Sequence, residues 1–132
     1  MRPISANSVK SLVHHSSVIV ADNSGGKEAE IISVIGHKTR LRQQINCGIA
    51  DMVNVVIKKG KPEIRKKVER AIIVRVAKEY RRKSGERIKF EDNAVVLVDD
   101  KGLPKASEIK GAIAKEVGER WPKVAGIASI IV

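Results

Sequence analysis

Asp99 and Asp100 are the closest this chain comes to a pair of catalytic carboxylates, and their spacing defeats the role. Adjacent residues of an extended segment point to opposite faces, and Gly102 just beyond makes a turn the simpler assignment. His14, His15, His37 and Cys47 are metal-ligand types, but they form neither a Cys-x-x-Cys nor a His-x-x-x-His pair. No metal site and no cofactor is expected. Ser24-Gly25-Gly26-Lys27 has the composition of a phosphate loop without the G-x-x-x-x-G-K-[ST] spacing or a following helix pattern, so it reads as a hairpin turn. What remains is electrostatic chemistry.

Residues 58 to 89 carry 14 of the 26 Lys and Arg against Glu63, Glu69, Glu79 and Glu86, leaving 12 basic and 11 acidic residues elsewhere. The net charge of +11 is therefore concentrated in one quarter of the chain. Solvated faces ordinarily mix signs, and so one-sided a run repels itself unless a polyanion covers it. Release of the counterions condensed on phosphates favours each contact, which points to nucleic acid. Lys38, Arg40 and Arg42, in a loop from Gly36 to Gly48, extend the expected footprint.

Composition narrows the partner. The apolar 42% is dominated by Val, Ile and Ala, with Tyr80, Phe90 and Trp121 the only aromatics. Binding of single strands through successive stacked bases relies on several exposed aromatics, so rigid, folded nucleic acid suits the chain better. A lone cysteine permits no internal disulfide. Met1 to Lys10 lacks the apolar run of a secretory signal, and the apolar stretch from Val124 to Val132 is too short to span a bilayer. A cytoplasmic location without membrane contact is expected.

The elements that must position these charges are mostly strands. Ser17 to Ala21, Lys27 to Val34, Met52 to Ile57, Ala71 to Val74 and Ala94 to Val98 read as short strands between turns, with residues 58 to 67 an exposed basic loop. Alternation continues from Arg75 to Arg81 and back from Arg87 to Glu91, which predicts a two-stranded ribbon projecting into solvent with Arg81-Arg82-Lys83-Ser84-Gly85 at its tip. Ile113, Val117 and Trp121 recur at helical spacing up to Pro122, predicting short C-terminal helices whose polar side presents Lys115, Glu116, Glu119 and Arg120. The fold class is mainly β: one domain over residues 1–132, a small five-stranded barrel over 16–100 with a basic ribbon at about 75–90, and a short helical region over 104–132.

Ala71-Ile72-Ile73-Val74, nine residues, Ser84-Gly85, four residues, Phe90, two residues, Asn93, two residues, Val96-Leu97 is a spaced pattern that joins both arms of the ribbon. It resembles the signature of the family of the universal fourteenth protein of the large ribosomal subunit. Val20-Ala21-Asp22-Asn23-Ser24-Gly25 resembles that family's N-terminal segment. Lys58-Lys59-Gly60-Lys61-Pro62-Glu63, Phe90-Glu91-Asp92-Asn93-Ala94, Glu119-Arg120-Trp121-Pro122 and the ending Ser129-Ile130-Ile131-Val132 resemble its archaeal branch.

The resemblance implies a five-stranded barrel bound to large-subunit rRNA, contact with small-subunit rRNA in an intersubunit bridge, neighbouring large-subunit proteins, and no catalysis. It assigns rRNA binding to Lys58, Lys59, Lys61, Arg65, Lys66, Lys67 and Arg70 in the loop, and to Arg75, Lys78, Arg81, Arg82, Lys83, Arg87 and Lys89 in the ribbon. It also implies a C-terminal surface for an anti-association factor or a neighbouring protein, placed at Lys105, Ser107, Glu108, Lys110, Lys115 and Arg120. Lys83-Ser84 stands where the family often has Pro-Asp, from which a looser tip is expected. Ala112 replaces a proline, and Glu108 stands where bacterial members tend to carry a basic residue. A free-standing RNA-binding module and a nucleic-acid hydrolase are the rival readings. Stable co-sedimentation with large subunits separates the first, and the second requires an acid/base or metal constellation that the chain does not show.

Overall fold

The computed structural model describes residues 2–38, 40 and 43–132. Arg42, named above for the RNA footprint, lies outside the described residues. Five strands close into a barrel in the order β2 (Ser17–Val20), β3 (Gly26–Val34), β5 (Met52–Gly60), β6 (Val68–Arg75) and β9 (Ala94–Val98). Neighbours pair antiparallel except where β9 meets β2, in parallel register at Ile19 with Ala94 and Val20 with Val95. Closure leaves no barrel edge free to pair with another chain.

Side-chain alternation explains which strands close. On β5 the interior takes Val53, Val55 and Ile57, and the charged Lys58 and Lys59 follow once the strand leaves the core. On β3 Ala29 and Ile31 point inward between the outward Glu28 and Glu30. Strand β9 and the Ala71–Val74 stretch of β6 are buried on both faces, which their unbroken apolar runs anticipate. The second face is covered by the C-terminal segment, whose Ile109, Ile113, Val117 and Val124 are buried.

That C-terminal segment holds the predicted short helices, but two strands flank them. It comprises β10 (Ile109–Ile113), α1 (Lys115–Arg120), α2 (Pro122–Gly126) and β11 (Ala128–Ile131), with β10 and β11 paired in parallel. Ile113 thus ends a strand and does not belong to a helical stripe with Val117 and Trp121. The Lys110 amide donates to Ala21 O at 2.6 Å and the Ala114 amide to Val74 O at 3.2 Å, so tertiary partners hold residues that local spacing would coil. Gly111, at φ +80°, also excludes a continuous helix, and a Cβ there would come within 2.6 Å of the Arg75 guanidinium. Pro122 breaks the helical segment as predicted, by starting α2.

Two further strand pairs serve as fastenings. Strand β1 (Leu12–Val13) pairs with β4 (Asn46–Cys47), a strand within the segment expected to be all loop. Strand β7 (Tyr80–Arg81) pairs with β8 (Arg87–Ile88) to form the ribbon, in register at Tyr80 with Ile88 and Arg81 with Arg87. An N-terminal strap lies across the C-terminal helix: Arg120 Nε donates to Arg2 O at 2.6 Å, and the Ser5 amide and hydroxyl both donate to the Glu119 carboxylate. The strap also holds the ribbon, since the Asn7 amide donates to Arg81 O at 3.1 Å. Asp22 joins the first turn to the core, accepting from the Ser24 amide at 3.1 Å and the Leu97 amide at 2.8 Å while almost wholly buried.

Candidate nucleic-acid interface

Of the 14 cations between residues 58 and 89, eight have no acidic partner among the described residues: Lys61, Arg65, Lys66, Lys67, Lys78, Arg81, Lys83 and Lys89. All eight are exposed. They do not form one patch. Lys61 to Lys67 occupy the turn that enters β6, and Lys78 to Lys89 the ribbon that follows it, so an eight-residue strand of about 25 Å separates the two groups. Lys58 and Lys59 belong to β5 and not to the loop predicted there, and they form exposed pairs with Glu30 and Glu28. Arg70 with Asp100 and Arg87 with Glu79 are likewise surface pairs, weak enough to exchange for phosphate.

Arg75 and Arg82 are corrections to the predicted cationic surface. Arg75 pairs with Asp92 at 2.8 Å and donates through Nη1 to Lys110 O and Ala112 O, so its fork fastens β10. Arg82 is 8% exposed. Its Nε donates to Glu116 at 2.9 Å and its Nη2 to Val132 O at 2.6 Å, while the Tyr80 hydroxyl donates to the other Glu116 oxygen at 2.7 Å. Glu116 is fully buried, so it leaves the polar helix face expected of it. Burial first, and the Glu116 carboxylate second, push the Tyr80 hydroxyl well above its usual range, so it stays a protonated donor.

The ribbon is accordingly anchored through the buried Tyr80 and Arg82, while its remaining cations and its tip reach solvent. The Arg82 amide donates to Glu86 O at 2.8 Å and the Gly85 amide to Arg82 O at 2.9 Å, closing the turn that the absence of proline was expected to loosen. Lys83, Ser84, Gly85 and Glu86 are exposed. Lys38 and Arg40 are exposed in the segment after β3.

A cluster that the local pattern did not reveal lies at the start of β3. Lys27, Lys61 and Lys110, from three separate elements, line one shallow cleft with Gly25, Gly26 and Gly60. The Lys61 amide donates to Gly25 O at 3.1 Å, which draws the two turns together. Lys110 was expected on a protein-facing surface, and Lys27 in no site; their sequence separation from Lys61 offers no local signal.

On the C-terminal surface Lys105, Ser107, Glu108, Lys110 and Lys115 are exposed, with Lys105 paired to Glu69. Arg120 is a correction. It is turned inward, paired with Asp51 at 3.1 Å and held also by Arg2 O, so it braces the strap and is not free for a partner. Among the described residues no group of three or more His, Cys, Asp or Glu is placed to hold a metal ion. The Cys47 thiol is buried, and burial pushes it up to about 12, with Asp51 adding to the shift. No helix of the described residues is long and apolar enough to cross a membrane.

A closed barrel whose exposed cations include eight without an acidic partner among the described residues defines a small basic β-protein. Residues 11–132 match the family described as Ribosomal protein L14p/L23e, and the chain belongs to that family, one of structural ribosomal proteins and not of enzymes. Among its relatives, large ribosomal subunit protein uL14 of Saccharolobus solfataricus is 55% identical over 92% of this chain and 88% of its own length. The protein of the same description from Nanoarchaeum equitans is 52% identical over the full length of both chains. That of Methanococcus maripaludis is 49% identical over 99% of each.

Proposed function

We propose that this ribosomal protein is a structural, cytoplasmic constituent of the large subunit that grips rRNA at two separated places, the turn at Lys61–Lys67 and the ribbon at Lys78–Lys89. The observation that carries this reading is the set of eight unpaired, exposed cations on either side of β6 in a chain of this family. Placement about 25 Å apart lets one rigid body join two stretches of RNA backbone, so the protein acts as a brace. Exposed Lys58, Lys59 and Arg87 and the half-buried Arg70 extend the same surface, and Lys38 and Arg40 add a third. Arg75 and Arg82 contribute by holding the ribbon and the C-terminal unit in place.

Through this brace the protein takes part in an intersubunit bridge to small-subunit rRNA and adjoins other large-subunit proteins. The surface of Lys105, Ser107, Glu108, Lys110 and Lys115 serves a protein partner, an anti-association factor or a neighbour, through complementarity more than net charge. A crosslinking map on intact ribosomes tests the reading. Crosslinks from 61–67 and 78–89 to distinct large-subunit rRNA segments are expected; crosslinks confined to protein, or loss of the chain from large subunits at moderate salt, would overturn it.

A further inference from the structure

The N-terminal strap, the turn at residues 101–102 and the corner between α1 and α2 enclose an open cleft of ≈ 710 Å³, within the range of small-ligand sites. Its walls combine the apolar Pro3, Trp121 and Pro122 with the cationic Arg2, Lys101 and Lys123, and no acidic residue lines it. These three cations have no acidic partner among the described residues, whereas Arg120, which also lines the cleft, is neutralised by Asp51. Trp121 is half-buried and fixed in orientation. Its Nε1 donates to Ala50 O at 2.8 Å, and the ring lies on the bare backbone of Gly102, where a Cβ would come within 2.6 Å of Cζ3. A ring already held this way loses little freedom when a ligand packs on it.

We propose that this cleft receives one unpaired nucleotide of RNA, its base against Trp121 and the two prolines, its flanking phosphates at Arg2, Lys101 and Lys123. An aromatic and proline wall with a purely cationic rim matches a ligand that is flat, apolar on its faces and anionic at its edge. A base in a duplex keeps its faces stacked, so the occupant is a nucleotide in a loop, bulge or end. The inference rests on the RNA-binding reading above, but concerns different residues.

Trp121 is the only tryptophan, so its emission reports this cleft alone. Hexaadenylate RNA added to the purified protein should quench it saturably, and the pair Lys101→Gln and Lys123→Gln should weaken that binding by about tenfold while leaving urea unfolding unchanged. An abasic chain of equal length should not quench. Absence of quenching by hexaadenylate, equal quenching by the abasic chain, or tighter binding of an acidic leucine-containing peptide would each overturn the proposal. Salt-dependent rRNA binding by a Lys61, Lys66, Lys67→Gln variant, measured alongside, reports the rRNA reading separately, so the two can fail independently.

Discussion

Arg82 and Glu116 meet at 2.9 Å inside the protein, where a residue of the basic ribbon reaches back to the first turn of α1. Removing one member of a buried pair leaves the other's charge uncompensated, which costs about 3–5 kcal/mol. Arg82→Gln or Glu116→Gln should each lower stability by an amount of that order in urea titration. Both are expected to raise the fraction of unfolded protein before any loss of RNA affinity appears. A variant as stable as the parent would remove the pair from the structural role given to it.

The same pair divides the ribbon into a held part and a free part. In hydrogen exchange on the protein without RNA, the Arg82 amide, bonded to Glu86 O, and the Val95–Val98 amides should be protected, whereas Lys83 and Ser84 should exchange rapidly. Arg82→Gln should bring Arg82 exchange close to the Lys83 rate. Rapid exchange throughout Tyr80 to Arg87 in the parent would show that the ribbon is unanchored.

Counterion release makes the salt dependence of binding a measure of how many phosphates the protein neutralises. Replacing Arg81 and Lys83 by Gln should reduce the slope of log affinity against log salt by about 0.7–0.9 for each phosphate no longer neutralised, with folding retained. Replacing Lys61, Lys66 and Lys67 should do the same independently, and the two sets should add because β6 keeps them apart. Unchanged slopes in fragments of large-subunit rRNA would take both groups out of the interface. Arg82 is left out of this test because its loss would unfold the support.

Three carboxylates give stability a pH dependence of definite sign. Backbone and hydroxyl donation by Ser5 holds Glu119 below 4.5, the Leu103 and Lys101 amides hold Asp99 below 3.8, and the His15 hydrogen bond holds Glu30 below 4.5. Each has a folded value under its unfolded one, so its contribution is complete above the unfolded value and disappears as pH falls through the folded value. The urea midpoint should therefore fall as pH is lowered from about 4.5, and Ser5→Ala should make the fall smaller. An equally steep fall in Ser5→Ala would detach Glu119 from it.

The exposed C-terminal surface predicts a separation of assembly from factor docking. Reversing Glu108, Lys110 and Lys115 together should leave the protein folded and incorporated into large subunits, because none of these side chains fastens a strand. Binding of an anti-association factor to those subunits should weaken, read by co-sedimentation. Equal binding would move the partner surface elsewhere, and failed incorporation would give these residues to assembly.

Residue type and order alone determined the barrel strands, the placement of charge and the family. Ala94 to Val98 and Ala71 to Val74 are apolar on both parities, so only a doubly covered strand accommodates them, and the Lys and Arg density of residues 58 to 89 is a property of the chain itself. The fates of individual arginines were decided only in three dimensions. Arg81 and Arg82 are neighbours with the same charge, yet one faces solvent and the other is closed off by Glu116 and Val132, 34 and 50 residues away. Ile113, Val117 and Trp121 likewise carry a helical period, but only Val117 lies in a helix. Ile113 is drawn into β10, where pairing with β11 and backbone bonds from Lys110 to Ala21 O and Ala114 to Val74 O hold the chain extended. Local pattern reports what a residue prefers, whereas burial beside a distant partner sets which preference the folded chain satisfies.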